Sequence, residues 1–415
     1  MTKTDIIEAA FRVWGRDLYR KTSLSQLAGE LGVSKPALYR HFVSKQALIT
    51  AMTERFLDDF AAFIRKDFEQ ALKAQDADDG IFAIIGSIVG FFAHNVYALI
   101  FSLVNIYKRN LADELVIVEQ LKSRGVDMGT LKKVINRKYT GDSTVVRMTF
   151  MTLIFMMSRF HKKNNYTENP PSSEEITNIT AVICKTIKHG LGYSEEKLSL
   201  DFDKMEKQVN EMTLNLEPEN AVEWAQAKEG SRSALFFKAV AEAVAEAGPW
   251  EVSMDMVAKK LGLSKSSLYG HFKNKKDLLR RLFIEEFKQI IAFARQGINL
   301  SDNTAEQLYL GIFSISIYLR SRPEILVTMD WIRTRKLDVG KPVKDQEFFR
   351  LFEDVDIEPV RNATEEEKQC TSHWILFLLI NILMHSAEGA EESGGDNVIR
   401  LLYRFISLGL GGFIL

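Results

Sequence analysis

Cysteine and proline are scarce in this chain. Cys184 and Cys370 are the only cysteines, both in apolar helical sequence without CxxC or Cys/His spacing. That excludes a disulfide scaffold and a zinc module, and points to two free thiols in a reduced cytosol. Eight prolines in 415 residues, with few alternating apolar/polar runs, point away from β-structure and toward an all-α fold. No signal peptide is expected, because helical periodicity starts at once in DIIEAAFRVW. Charge of one sign is missing too: the formal net charge is −1, which taken alone argues against a general nucleic-acid binder. Enzyme signatures are absent, with no Gly-rich phosphate loop, no HExxH, no GxSxG and no carboxylate pair in a recognisable motif. The strings EEIT and EEEK read as solvated helix starts, and neither a catalytic residue nor a cofactor or metal site is expected. One stretch, Ile81 to Tyr107, lacks charge altogether. His94 and Asn95 sit near its middle and Gly86 and Gly90 interrupt its first half, so it reads as two buried core helices rather than a membrane span.

What the chain does have is a repeat. SKPALYRHF, from Ser34 to Phe42, returns as SKSSLYGHF from Ser264 to Phe272, and the likeness extends without a gap over Leu27–Leu48 and Val257–Leu278. The charge, balanced overall, is sorted along the chain. Residues 1–50 carry eight Lys/Arg against four Asp/Glu, residues 231–281 ten against five, and residues 193–230 four lysines against ten acids. The basic stretches coincide with the repeated module.

Caps and stops give the local plan. A first helix covers about Thr4 to Trp14, with Ile6, Ile7, Ala10, Phe11 and Trp14 on one face. Thr22 and Ser23 cap a second helix to about Leu31, Gly32 makes the turn, and Ser34 caps a third that ends near Phe42. Ser44 caps the long helix that follows. The second copy repeats this with a helix from about Ser233 to Ala247 stopped at Gly248-Pro249, then a helix from Met254 to Leu261, the Gly262 turn, and caps at Ser264 and Asn274. Long apolar helices follow each module, and both sets finish in Gly-Leu-Gly, at Gly190–Gly192 and Gly409–Gly411. The expected domains are a helix-turn-helix module at 1–50, a helical effector and dimerisation domain at 51–192, an acidic linker at 193–230 with one helix in it, a second module at 231–281 and a second helical domain at 282–415.

A helix, a glycine turn and a short helix with flanking lysines suit the major groove of DNA. Leu38 and Phe42 should pack inward with Leu27, Leu31 and Val33. Pro36, Ala37, Arg40 and His41 then face the bases or the groove wall, while Ser34, Lys35, Tyr39 and Lys45 are placed for phosphate. In the second copy the roles fall to Ser264, Lys265, Ser266, Ser267, Tyr269, His271, Lys273 and Lys275. Leu, Tyr and Phe at this spacing are more often plain core than contact. It is the repetition of cap, turn and lysines in register that points to DNA.

At these residues both halves resemble the TetR/AcrR family of transcriptional regulators. The resemblance is carried by Ala9-Ala10, Thr22-Ser23-Leu24, Leu27-Ala28, Leu31-Gly32-Val33-Ser34-Lys35, Leu38-Tyr39, His41-Phe42 and Lys45. It recurs at Val257-Ala258, Leu261-Gly262-Leu263-Ser264-Lys265, Leu268-Tyr269, His271-Phe272 and Lys275. It implies units in which three helices bind DNA and the remainder form an effector pocket and a dimer interface through the last two helices. Two modules in one chain depart from the family's usual homodimer and imply a single-chain pseudo-dimer, further homo-oligomerisation remaining open. The implied function is a DNA-binding regulator in the cytoplasm, a repressor, reading an asymmetric operator and controlled by a small apolar or aromatic effector. Candidate effector residues are Phe92, His94, Tyr97, Phe101 and Met151 in the first half and Phe313, Tyr318, Trp331 and Phe377 in the second. An alternative is a protein-interaction or lipid-binding module that keeps this fold with weak or lost DNA binding, which Gly270 in place of Arg40 would suit.

Overall fold

The computed structural model describes residues 2–16, 23–105, 111–140, 142–166, 168–213, 229–270, 272–335, 347–353, 355–386 and 395–414. These are helical throughout apart from turns, loops and one isolated bridge between Tyr139 and Ile414. Two compact units emerge, one of residues 1–190 with 409–415 and one of residues 191–408.

In the first unit, α1 (Lys3–Arg16), α2 (Leu24–Glu30) and α3 (Lys35–Tyr39) form the repeated module. The chain continues through α4 (Lys45–Ala71), α5 (Ala77–His94), α6 (Val96–Asn105), α7 (Leu111–Ser123), α8 (Met128–Ile135), α9 (Ser143–Asn164) and α10 (Ser173–His189). Helix α4 starts where the Ser44 hydroxyl accepts from Ala47 N–H at 3.1 Å. It buries Leu48, Met52 and Phe56, then Leu57, Ala61, Ile64 and Phe68, a stripe at three- and four-residue spacing against α5. The charge-free stretch is indeed two helices broken at Asn95. Helix α5 has the length and apolarity of a span, but 72% of it is buried inside the unit, as befits a core helix.

Six phenylalanines fill the junction of the module with the helices below it. Phe56 has Phe91, Phe92 and Phe101 at 6.0, 6.4 and 6.0 Å, Phe60 lies 5.2 Å from Phe91, and Phe11 reaches Phe101 edge-on at 5.0 Å. Each such pair adds about 0.5–1.5 kcal/mol beyond the area it buries. Farther down, the buried Asp78 carboxylate accepts from Tyr139 Oη, from Lys138 Nζ at 2.8 Å and from Lys188 Nζ at 3.0 Å. Burial would raise its pKa, but these three donors outweigh burial and hold it below the usual carboxylate value.

The second unit repeats the plan with α12 (Glu229–Glu251), α13 (Met254–Lys260), α14 (Lys265–Gly270), α15 (Lys275–Ile298), α16 (Thr304–Ser321), α17 (Pro323–Arg335), α18 (Glu347–Arg350), α19 (Glu365–Ser386) and α20 (Gly395–Leu408). Gly248 interrupts α12 where the sequence places its stop. Glu286 on α15 is fully buried and accepts from Tyr318 Oη at 2.8 Å, Ser233 Oγ at 3.1 Å and Arg322 Nη1 at 3.4 Å.

The segment expected as an acidic linker with one helix is described as far as Thr213. Residues 191–213 belong to the second unit. The helix foreseen there is α11 (Phe202–Thr213), which packs on α16. Its Glu206 is buried because Arg400 Nε and Nη2 donate to it at 2.6 Å each and Tyr309 Oη at 2.5 Å. The Gly-Leu-Gly tail of the second half in turn belongs to the first unit. Neither Cys184 nor Cys370 is in a disulfide, and burial pushes Cys184 up to about 11.

Candidate nucleic-acid interface

Each module is closed by the same backbone bonds. Gly32 N–H donates to Gly29 at 3.1 Å and Val33 N–H to Ala28 at 2.9 Å; Gly262 N–H donates to Lys259 at 3.0 Å and Leu263 N–H to Ala258 at 2.9 Å. Both glycines lie in the left-handed region, at φ +64° and +69°, which explains the residue type at the turn. Helix α2 is capped by Ser23, whose hydroxyl accepts from Ser25 and Gln26, and α13 by Ser253, which accepts from Met256. Thr22 lies outside the described residues.

An ion pair holds the first two helices of each module together, with the signs exchanged. Arg16 Nη1 meets Glu30 at 3.1 Å in the first module. At the offset that places Ser34 on Ser264, the same positions hold Glu246 and Lys260, which also form an ion pair, with Glu242 at 3.8 Å from the same ammonium. Retention of a strut with reversed polarity means that the geometry of the module, not a particular side chain, has been kept.

The short helices α3 and α14 are shorter than expected, α3 ending at Tyr39 rather than near Phe42. From there a turn brings Phe42 inward by Phe42 N–H donating to Leu38 at 3.0 Å. Leu38 and Leu268 are buried under them, as are Phe42 and Phe272, each of which has a cation over its ring: Lys3 at 5.8 Å and Arg281 at 6.0 Å. The opposite face is open. Ser34, Lys35, Pro36, Tyr39, Arg40 and Lys45 are exposed, and Ala37 and His41 are half-buried. In the second module Ser264, Lys265, Ser266, Ser267 and Lys273 are exposed, and Tyr269 and Lys275 half-buried. Burial raises the Tyr269 phenol above its ordinary value. His271 lies outside the described residues.

The two open faces differ in chemistry. Ser34 occupies the cap position without a side-chain cap bond. Ser264 Oγ accepts from Ser267 N–H at 3.0 Å and is hydrogen-bonded to the hydroxyls of Ser266 at 2.9 Å and Ser267 at 2.7 Å, so the three serines engage one another. One exposed residue escaped the sequence reading: Val43, 85% exposed, stands between α3 and α4 where the second module has Lys273. Nothing in the apolar pattern distinguishes it from a core valine.

Several of the candidate effector residues are packed against other rings. Phe92 and Phe101 sit in the phenylalanine cluster, and Tyr97 packs against Gly15, where an added Cβ would meet its ring at 2.5 Å. Met151 is buried on α9, whereas His94 is exposed, its Nδ1 bonded to Gly90 O at 2.8 Å in its own helix. In the second unit Phe313 stacks on Tyr309 at 5.7 Å, and Tyr318 holds Glu286 and lies 5.9 Å from Phe293. Phe377 is half-buried. Trp331 is buried, and its indole N–H has no hydrogen-bond partner among the described residues. A cleft of about 380 Å³ in this unit is polar and lies elsewhere, between α11 and the α15–α16 loop, lined by Asp201, Lys204, Gln208 and Asp302 among others.

A family model matches both modules. Residues 6–52 and 237–282 each match the family described as "Bacterial regulatory proteins, tetR family". A curated relative, "Fatty acid metabolism regulator protein" of Bacillus subtilis (strain 168), is 28% identical over 108 residues, 26% of this chain and 56% of that protein's own length. A solved structure, described as that of the fatty acid degradation regulator FadR from Bacillus halodurans, aligns at 17% identity and a TM-score of 0.36, covering 44% of this chain and 97% of that one. With two matched segments, each folded into the same capped helix-turn-helix, the chain carries two tandem modules that match the tetR regulatory family.

Proposed function

We propose that this regulator is a repressor that reads an asymmetric operator with both of its modules at once, and that a small apolar or aromatic compound controls its grip. The observation that carries the reading is the pair of modules closed by matching turns but exposing unlike faces, Pro36, Ala37 and Arg40 on one and Ser266, Ser267 and Gly270 on the other. A family homodimer presents two identical helices and favours a palindrome, whereas two unlike helices favour an asymmetric site. The two modules in one chain would then act as the single-chain counterpart of that dimer. Lys35, Lys45, Lys265, Lys273 and Lys275, with Tyr39 and Tyr269, serve the phosphates in this scheme, and Arg40 reads bases. The aromatic helices α5, α6, α16 and α17 support an apolar effector, and the name of the Bacillus subtilis relative makes a fatty acyl compound the first candidate to try.

Selection of bound sequences from a random DNA pool with the purified full chain tests the reading. An enriched asymmetric site, with affinity falling steeply as salt rises, is the expected outcome. A perfect palindrome bound by two chains would refute the two-head arrangement. Binding that is weak and indifferent to sequence would favour the interaction-module alternative.

A further inference from the structure

Each unit contains a segment from the other half of the sequence, and each segment lies at the C-terminal end of that unit's last long helix. In the first unit the segment is Gly409–Phe413, which forms a short 3₁₀ turn against the end of α10. Thr140 N–H donates to Phe413 O at 2.7 Å, Tyr139 bridges to Ile414, and the Phe413 ring is buried. Gly409 is in the left-handed region at φ +60°. A Cβ there would strike Ile187 O and stand 2.6 Å from Gly190 N and from the Lys188 carbonyl carbon, so only glycine fits. Asp78 holds both walls of this slot, since its donors Lys138 and Tyr139 adjoin Thr140 on one side and Lys188 belongs to the other.

The second unit shows the counterpart. Leu191 N–H donates to Ile406 O at 2.7 Å, and Gly192 and Tyr193 N–H both to Ser407 O at 3.1 Å, at the end of α20. Beyond them Arg404 Nη2 meets Glu195 at 2.7 Å, and Arg400 with Tyr309 fixes α11 through Glu206. Gly409–Gly411 of the second half thus lies in the first unit, and Leu191–Gly192 of the first half in the second. The same tripeptide, in the same place after the last helix, serves the same purpose twice.

We propose that these are reciprocal docking slots: the end of α10 with Tyr139–Thr140 receives the tail Gly409–Ile414 of the second half, and the end of α20 receives Leu191–Tyr193 of the first. Neither half of the sequence then contains a complete unit, and the halves stay fastened without the connecting segment. The slot is built for its tail through backbone groups, so any segment able to place glycine at the first position and an apolar ring four residues later fits it, including the same tail of a second copy of this chain.

The test is independent of DNA binding. In Gly409→Ala, made in the full chain, amide exchange at Thr140 should rise at least tenfold, while Leu191, Gly192 and Tyr193 keep their protection. A protease site introduced within residues 217–223 should leave the cut wild-type halves eluting together under native conditions. The cut Gly409→Ala protein should come apart at a concentration at least tenfold higher, and the free peptide Gly-Leu-Gly-Gly-Phe-Ile-Leu should restore Thr140 protection in it. Unchanged Thr140 exchange in Gly409→Ala overturns the proposal, as does ready separation of the cut wild-type halves. Should the cut protein aggregate, the exchange measurement on the uncut variant decides alone.

Discussion

Replacing Gly270 with arginine should give the second module the base reader that it lacks. Gly270 is the last residue of α14, its φ is ordinary, and a Cβ built on it meets no atom within 4 Å. The first carbon of a new side chain therefore has room, and removing a helical glycine stabilises the helix by a few tenths of a kcal/mol up to about 1 kcal/mol. At the corresponding position Arg40 is exposed on the open face of α3. A guanidinium that donates to O6 and N7 of guanine contributes about 1–3 kcal/mol of discrimination, which is roughly 5- to 150-fold between the right and wrong base.

The assay is parallel selection with wild type, Gly270→Arg and Arg40→Ala, followed by competition binding at two salt concentrations. Gly270→Arg should acquire a guanine preference in the second half-site and make the selected site more nearly palindromic. Arg40→Ala should lose the preference in the first half-site alone. A different result would refute the reasoning: Gly270→Arg tightens all sequences alike and steepens the salt dependence by about 0.9 in log–log slope. The new arginine would then be sitting on phosphate, and the difference between the two faces would carry no specificity.

Two further outcomes follow from charge and burial. Lys35→Ala and Lys265→Ala should each weaken binding to all DNA and flatten the log-affinity against log-salt slope by about one, because phosphate contacts carry no sequence information; a loss confined to one sequence would assign these lysines to bases. Burial lowers the pKa of His161 from 6.5 to about 4, only partly offset by its bond to Phe92 O at 3.2 Å. The neutral ring is favoured in the folded state, so its contribution is whole above the unfolded value and is lost as pH falls through 6.5 toward 4. Between about pH 7.5 and about pH 5 the wild type should lose about 2 kcal/mol from this group. Denaturant titrations of His161→Gln should lack that loss, and an equal loss in the variant would place the titration elsewhere.

The modules were legible because everything that shapes them is local. The caps at Ser23, Ser44 and Asn274 and the turns at Gly32 and Gly262 act within four residues, and the repeat removed the ambiguity of a single short string. The tails were not. Gly-Leu-Gly after a helix reads as a stop, and nothing in its spacing says that Thr140 will donate to Phe413. Glu206 was equally unreadable, since its partner Arg400 lies nearly two hundred positions later in the chain. Composition also drew attention to aromatic rings as a ligand lining, where Phe92, Phe101 and Phe313 are satisfied by other rings.

The same limit explains how far the two halves have diverged beneath a shared outline. At the offset that lays Ser34 on Ser264, Phe56 falls opposite Glu286. In the first unit that position is the centre of the phenylalanine cluster between the module and helices α4 to α6, held by non-directional apolar packing. In the second it is a buried carboxylate tied to Ser233 of the module's first helix and to Tyr318 and Arg322 at the end of α16. Such a network adds little net stability over an apolar core, because desolvation offsets the attraction, but it tolerates only one geometry. Ring packing of this kind sets no single geometry between α1 and α6, whereas displacing α12 would strand the Glu286 charge. Under the effector control proposed above, the expectation is that a compound which wedges apart apolar rings acts on the first unit, whose module carries Arg40.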